Sequence, residues 1–302
     1  MQLRGFSSTS NRVFDFISLW ILPTGYFLLL CALFFLPGRS LHHKLFYGLF
    51  SIPTLIALCL RPRELKELLR EPIFIAVLLF AAWALLSLAW GPDGEPLGGM
   101  FKPPLHTLLL FAGCYLLVRY RSDILQPLLF GAALVALIAT TIFLFMFARV
   151  YEPGMRLIGG GAFDNPLLSS HLFGFFSAYW LSVTMTCKRR QMMWLSVPAM
   201  AIMFMAVIGT GSRTPLVALT MAALWLCFIC WNRRSVGLLV ALALSGVAVL
   251  TLFSQMIIER GDSYRLEIWQ IVLHKIADHP WVGHGYSATL AVDPGVGYNF
   301  QE

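Results

Sequence analysis

Apolar residues in this chain come in long unbroken runs separated by short polar stretches. Nine runs are long enough to read as membrane-crossing helices: about 16–36, 45–60, 73–90, 104–118, 124–147, 167–187, 192–208, 214–231 and 235–254. None alternates with a period of two, which points to helices rather than barrel strands. The runs 45–60 and 104–118 are short for about 30 Å of hydrocarbon at about 1.5 Å per residue. The predicted fold is all-α, a polytopic transmembrane helical bundle of about nine spans over residues 1–254. After Ser254 the pattern changes. In "SYRLEIWQIVLHKIADH", Leu266, Trp269, Leu273 and Ile276 recur at helical spacing. That predicts an amphipathic helix suited to a membrane surface, ended by the proline and glycines of "HPWVGHGY".

Composition fixes the class. Hydrophobic residues make up 58% of the 302 residues and charged residues only 12%, against about a quarter charged in a soluble domain. Mean hydropathy is +0.75. The polar, basic start "MQLRGFSSTSNR" precedes an apolar run longer than a signal-peptide core, with no small-residue cleavage pattern after it. That run is read as a retained first helix. The net charge of +7 carries topology rather than nucleic-acid binding. Segments 1–15, 61–71, 119–123, 188–191 and 232–234 hold 13 Lys and Arg in 38 residues, whereas 37–44, 91–103, 148–166, 209–213 and 255–302 hold 9 in 93. The basic set should be cytoplasmic. The N-terminus is then inside, and residues 255–302 begin a large periplasmic loop.

The candidate chemistry lies on the outward set. Arg213 sits in "GTGSRTPL", between two apolar runs, and Arg265 sits near the start of the surface helix. The orientation rule disfavours both positions, so they need another reason. A guanidinium fork suits bidentate contact with phosphate oxygens. The glycines and Ser212 beside Arg213 could let backbone N–H groups cradle an anion. Snorkelling to headgroups would also account for both arginines. In "GGGAFDNPLLSSH", Asp164 and Asn165 could cap the following helix or hydrogen-bond a sugar, and His171 begins that span. His274, His279 and His284 recur every five residues, which does not place them on one helical face. His284, in the glycine turn, could act as a base or simply be polar. No metal site is expected, and nothing suggests ATP or another cofactor. The six cysteines lie within or at the ends of apolar runs; Cys227-x-x-Cys230 lacks a second ligand pair and reads as small apolar filler.

Three segments together resemble the O-antigen ligase and O-antigen polymerase superfamily of bacterial envelopes, and within it most resemble an O-antigen ligase. "GAFDNPLLSSHLFG" is similar to the family's G-x-F-x-N-P segment before a span. "GTGSRTPLVAL" is similar to its S-R-x-x-hydrophobic segment. "SYRLEIWQIVLHKIADHPWVGHGYS" is similar to its R-x-x-x-W…P-x-x-G-x-G segment at the start of the large periplasmic loop. The resemblance covers most of the chain from about residue 70. It implies a glycosyltransferase of the bacterial inner membrane, independent of metal and nucleotide, that takes glycan from undecaprenyl pyrophosphate. It implies that Arg213 and Arg265 bind the donor's pyrophosphate and stabilise charge as it departs. Beside these two, the residues themselves offer Asn165, Ser212, His171 and His284 as candidate substrate contacts; His284, in the glycine turn, is not the family's matching histidine. The family's general-base histidine lies in an H-N-x-x-L segment with no counterpart up to Glu302. This sequence is therefore expected to stop within the loop, with the base beyond it.

A ligase would use lipid A–core as acceptor. An O-antigen polymerase or a protein O-oligosaccharyltransferase would share these motifs and differ only in acceptor. A flippase for lipid-linked sugars is the alternative from another class. Such transporters carry ionisable residues near the midplane; here those residues are nearly confined to the ends of the runs.

Overall fold

The computed structural model describes residues 9–91, 97–152, 154–162, 165–232, 234–240 and 265–288. Among them every regular element is helical. We label them α1 (Thr9–Phe35), α2 (Ser40–Leu60), α3 (Pro62–Leu68), α4 (Pro72–Leu86, extended by a 3₁₀ turn Ser87–Ala89), α5 (Leu97–Val150), α6 (Pro166–Thr186), α7 (Arg190–Gly209), α8 (Arg213–Ile229) and α9 (Arg265–Asp278). Among the described residues, five helical stretches are long and apolar enough to cross a membrane: α1, α2, Pro72–Ala89, Gly99–Val150 and α7. The chain is a multi-pass membrane protein.

The helices track the apolar runs, with three informative differences. The run at 45–60 belongs to a helix that already starts at Ser40, because the polar residues "SLHHK" continue the helix beyond the apolar stretch. The runs at 104–118 and 124–147 are two helices that meet, with no loop between them, at a kink at Arg121 (φ −141°, ψ 42°); the label α5 covers both. On the two sides of the kink, residues 99–120 and 122–150 are about 33 and about 44 Å long, each enough for one crossing of about 30 Å. The third concerns α6, which matches the predicted 167–187 but is not among the five most apolar stretches. Its Ser169, Ser170, Ser177 and Trp180 are all buried against protein, so their polarity never meets lipid. The predicted ninth span lies mostly outside the described residues, which reach a helical segment at 234–240.

The described residues fall into two compact units: one from Met1–Leu60 and Gly113–Phe253, the other from Arg61–Ala112 and Ser254–Glu302. In the first unit, α6 is the centre. It packs most extensively on α7 and then on α8. Its Phe173, Phe176 and Trp180 are almost fully buried. They meet an alanine stripe on α5: Ala132, Ala133, Ala136 and Ala139, each 0–1% exposed. Small residues let helix backbones approach closely, and in lipid that van der Waals contact, rather than water exclusion, drives association. Phe130 meets Trp180 edge-on at 5.9 Å and Phe34 of α1 lies 5.8 Å from Phe176.

The second unit holds α3, α4, the first part of α5, and α9 with the turn after it. Here Ser87 Oγ donates to Ala84 O at 2.8 Å and accepts from Tyr286 N–H at 2.9 Å. The "GHGYS" turn is thereby docked on the end of α4.

Candidate functional site: the Arg213 turn

Five segments of the first unit meet at one end. The loop leaving α5 at Val150 crosses that end before entering α6. Leu157 N–H donates to Gly209 O at 2.8 Å, and Arg156 Nε donates to Thr210 O at 2.7 Å, pinning the loop to the end of α7. Gly159 N–H donates to Ser169 Oγ at 2.9 Å, fixing it to the first turn of α6. Ala162 N–H donates to Leu33 O at 3.2 Å, and Gly38 N–H to Gly161 O at 3.4 Å. Gly161 has φ +77° and lies against the Leu33 and Phe34 carbonyl groups of α1, where no Cβ fits. Gly161 is thus required by close backbone approach, while Gly160 lies against the Phe143 ring and Gly159 against Ser169. The described residues of segments 37–44, 148–166 and 209–213, assigned to one side by charge, lie at this one end.

The turn from α7 to α8 is sharply defined. Thr210 N–H bonds to Ala206 O at 3.1 Å and Gly211 N–H to Ile208 O at 2.9 Å. Gly211 then takes φ +65°, the left-handed conformation that ends a helix. The Thr210 hydroxyl donates to Val207 O at 2.7 Å and accepts from Ser212 N–H at 3.3 Å. Ser212 is the N-cap of α8, but its side chain makes no capping bond. The physical reason lies in the sequence: the third helical position, a usual donor to an N-cap serine, is Pro215, which has no N–H. Ser212 is 3% exposed, and its Oγ has no hydrogen-bond partner. Arg213, the first helical residue, is exposed, as is Thr214. A buried hydroxyl, the first-turn N–H groups of a 17-residue helix and a guanidinium therefore share one helix start. That arrangement suits an anion.

The other predicted residues divide between the units. Asn165 Oδ1 accepts from Leu167 N–H at 2.8 Å, so it caps α6; Asp164 lies outside the described residues. His171 Nδ1 donates to Leu167 O at 2.6 Å. It belongs to an exposed stripe of α6 with Leu168 and Phe175. Asn165 and His171 thus sit at the same end as Arg213. Arg265 opens α9 in the second unit. So does the turn carrying His284 follow α9: its Nε2 donates to Lys275 O at 2.8 Å, and its ring meets His279 edge-on at 4.8 Å. Among the described residues no group of three or more His, Cys, Asp or Glu converges as for a metal ion. The six cysteines are free, and Cys227 is buried beside Ser235.

Comparison with known proteins adds two findings. A family model described as O-antigen ligase matches residues 198–301, a stretch that contains both the Arg213 turn and α9. A curated O-antigen ligase from Pseudomonas aeruginosa is 39% identical over 277 residues, covering 91% of this chain and 68% of that relative. No solved structure matches.

Proposed function

This chain belongs to the O-antigen ligase family, and on that premise we propose that it transfers polysaccharide from undecaprenyl pyrophosphate to a lipid A–core acceptor. The observation that carries the reading is the 39% identity to a curated O-antigen ligase over 91% of the chain. The reaction takes place at the periplasmic face of the inner membrane, without metal or nucleotide. Residues 1–254 form the transmembrane bundle with the N-terminus cytoplasmic, and residues 255–302 begin the periplasmic loop.

An acceptor sugar hydroxyl attacks the anomeric carbon of the donor. The bond from that carbon to the phosphate oxygen breaks, and undecaprenyl pyrophosphate leaves with the electron pair. The hydroxyl proton passes to a general base. Arg213 and Arg265 hold the pyrophosphate and stabilise the charge that develops on it, which is electrostatic catalysis. The helix start at Ser212 supports this role for Arg213, since its dipole and open N–H groups favour the same anion. Asn165, His171 and His284 are assigned to the glycan side of the site.

The test is a transfer assay on the native enzyme. The lipid-linked donor is offered in turn with lipid A–core, with lipid-linked glycan, and with a pilin-like protein. Product on lipid A–core, unchanged by EDTA, is expected. Product only on lipid-linked glycan would make the protein a polymerase, product only on protein an oligosaccharyltransferase, and translocation without bond transfer a flippase.

A further inference from the structure

The loop 148–166 carries two arginines on the side that is poor in basic residues. Arg149 is accounted for: its guanidinium stacks over the Phe145 ring at 4.4 Å, a cation–π contact at the end of α5. Arg156 is not. It is exposed, and among the described residues its one polar contact is Nε to Thr210 O at 2.7 Å. A guanidinium has five N–H donors in a rigid fork. One is used here, and neither Nη has an acceptor among the described residues.

The single bond is informative because of where it is made. Thr210 is three residues before Arg213, in the turn that opens α8. The neighbouring rung, Leu157 N–H to Gly209 O at 2.8 Å, fixes the backbone beside Arg156. The guanidinium is therefore held in a set plane on a rigid turn instead of wandering with a loop. The same turn holds the buried, unpartnered Ser212 Oγ. Capping the end of α7 needs one donor, and any N–H at that position would supply it. An arginine on the outer side, docked by its ε edge with its η edge left open, is arranged to hold something else.

We infer that Arg156 is a second phosphate-binding guanidinium of the Arg213 turn, giving this unit two forks for the two phosphates of a lipid pyrophosphate. The inference rests on the donor-binding reading above and deepens it. The ligand chemistry is a phosphate oxyanion, which either the donor or a bilayer headgroup supplies. Thr210 positions Arg156 through its carbonyl; Arg156 itself contacts the phosphate.

Binding of undecaprenyl pyrophosphate and of undecaprenyl monophosphate to the native protein in phosphatidylcholine nanodiscs tests this, repeated with discs containing phosphatidylglycerol. Arg156→Ala should weaken pyrophosphate binding about tenfold or more in both disc types. It should weaken monophosphate binding much less, so the preference for pyrophosphate collapses. Arg156→Gln, which can still offer an N–H to Thr210, should lose the preference while keeping the wild-type melting temperature. Arg156→Lys should recover only part of it. An unchanged preference in Arg156→Gln would overturn the inference and leave Arg156 as a cap of α7. An effect seen only with phosphatidylglycerol would assign its phosphate to the bilayer and equally overturn it. Arg213→Ala separates the two levels. If it too binds pyrophosphate normally, the donor-site reading fails; if it alone loses binding, only the role of Arg156 falls.

Discussion

The two ends of the first unit use arginine in opposite ways. At one end Arg234 Nη1 donates to Thr184 O at 2.8 Å and to Cys187 O at 2.6 Å. Arg121 there donates through Nη1 to Leu19 O at 2.8 Å and pairs through Nε with Asp123 at 3.2 Å. Both are half-buried. Arg234 lies at the C-terminal end of α6, where a cation satisfies carbonyls left open by the helix and meets its dipole. At the other end, one 21-residue helix or about 30 Å away, Arg156 spends a single N–H on a carbonyl and Arg213 stands exposed at a helix start. The first end belongs to the set rich in Lys and Arg, which the sequence reading assigns to the cytoplasmic side. The second belongs to the poor set, where each arginine needs a chemical reason. The same side chain is an internal strut at one end and an exposed group, proposed above to hold phosphate, at the other.

The sharpest way to break this contrast is to exchange the losses. Arg213→Ala should lower transfer by about 10²-fold or more in protein that still inserts and folds. Arg234→Ala should keep turnover per folded molecule within about twofold. Steady-state transfer normalised to folded protein reads both, and equal losses would erase the distinction. Arg213→Lys should restore only a fraction, because lysine keeps the charge but not the fork.

Stability should move the other way. Arg234→Ala removes two charge-assisted bonds to half-buried carbonyls and should cost about 2 kcal/mol, read as a lower midpoint of thermal unfolding in detergent. Donor affinity should not change. A midpoint equal to wild type would show that the strut end carries no load.

The smallest effect belongs to Ser212. Its buried hydroxyl has no partner, so Ser212→Ala should leave the donor-free protein within about 0.5 kcal/mol of wild type or slightly more stable. Yet it should weaken pyrophosphate binding severalfold. A thermal shift with and without undecaprenyl pyrophosphate separates the two. Destabilisation without any change in ligand response would make Ser212 an ordinary helix cap.

Much of the helical layout was legible because apolar runs and helices answer to the same demand, a lipid-facing surface with its backbone bonds closed. Where they part, the cause is local. Ser40–Lys44 is polar yet helical, so hydropathy alone starts α2 too late. "RYRSD" separates two helices by a single non-helical residue, Arg121, so what reads in the sequence as a polar loop is a kink. Asn165 was readable as a cap from "DNP", and the helix begins at the proline that follows it. Arg213 stood out because a charge between two apolar runs is conspicuous in one dimension. Arg156 was visible only as a charge on the disfavoured side. Its partner Thr210 lies 54 residues away, and no local spacing announces a bond across that separation. The idle Oγ of Ser212 was equally hidden, since serine before a helix ordinarily reads as a satisfied cap.

The most direct test of a donor site at the Arg213 end is a photo-crosslink in cells that make the lipid-linked glycan. A benzophenone side chain replaces Thr214 in one variant and Asn232 in another, both exposed positions, the first in the opening turn of α8 and the second just beyond its last residue. Crosslinking to the undecaprenyl-pyrophosphate glycan at position 214 and not at 232 is the predicted result. A crosslink at 232, or none at 214 in a variant that still carries out transfer, would contradict it.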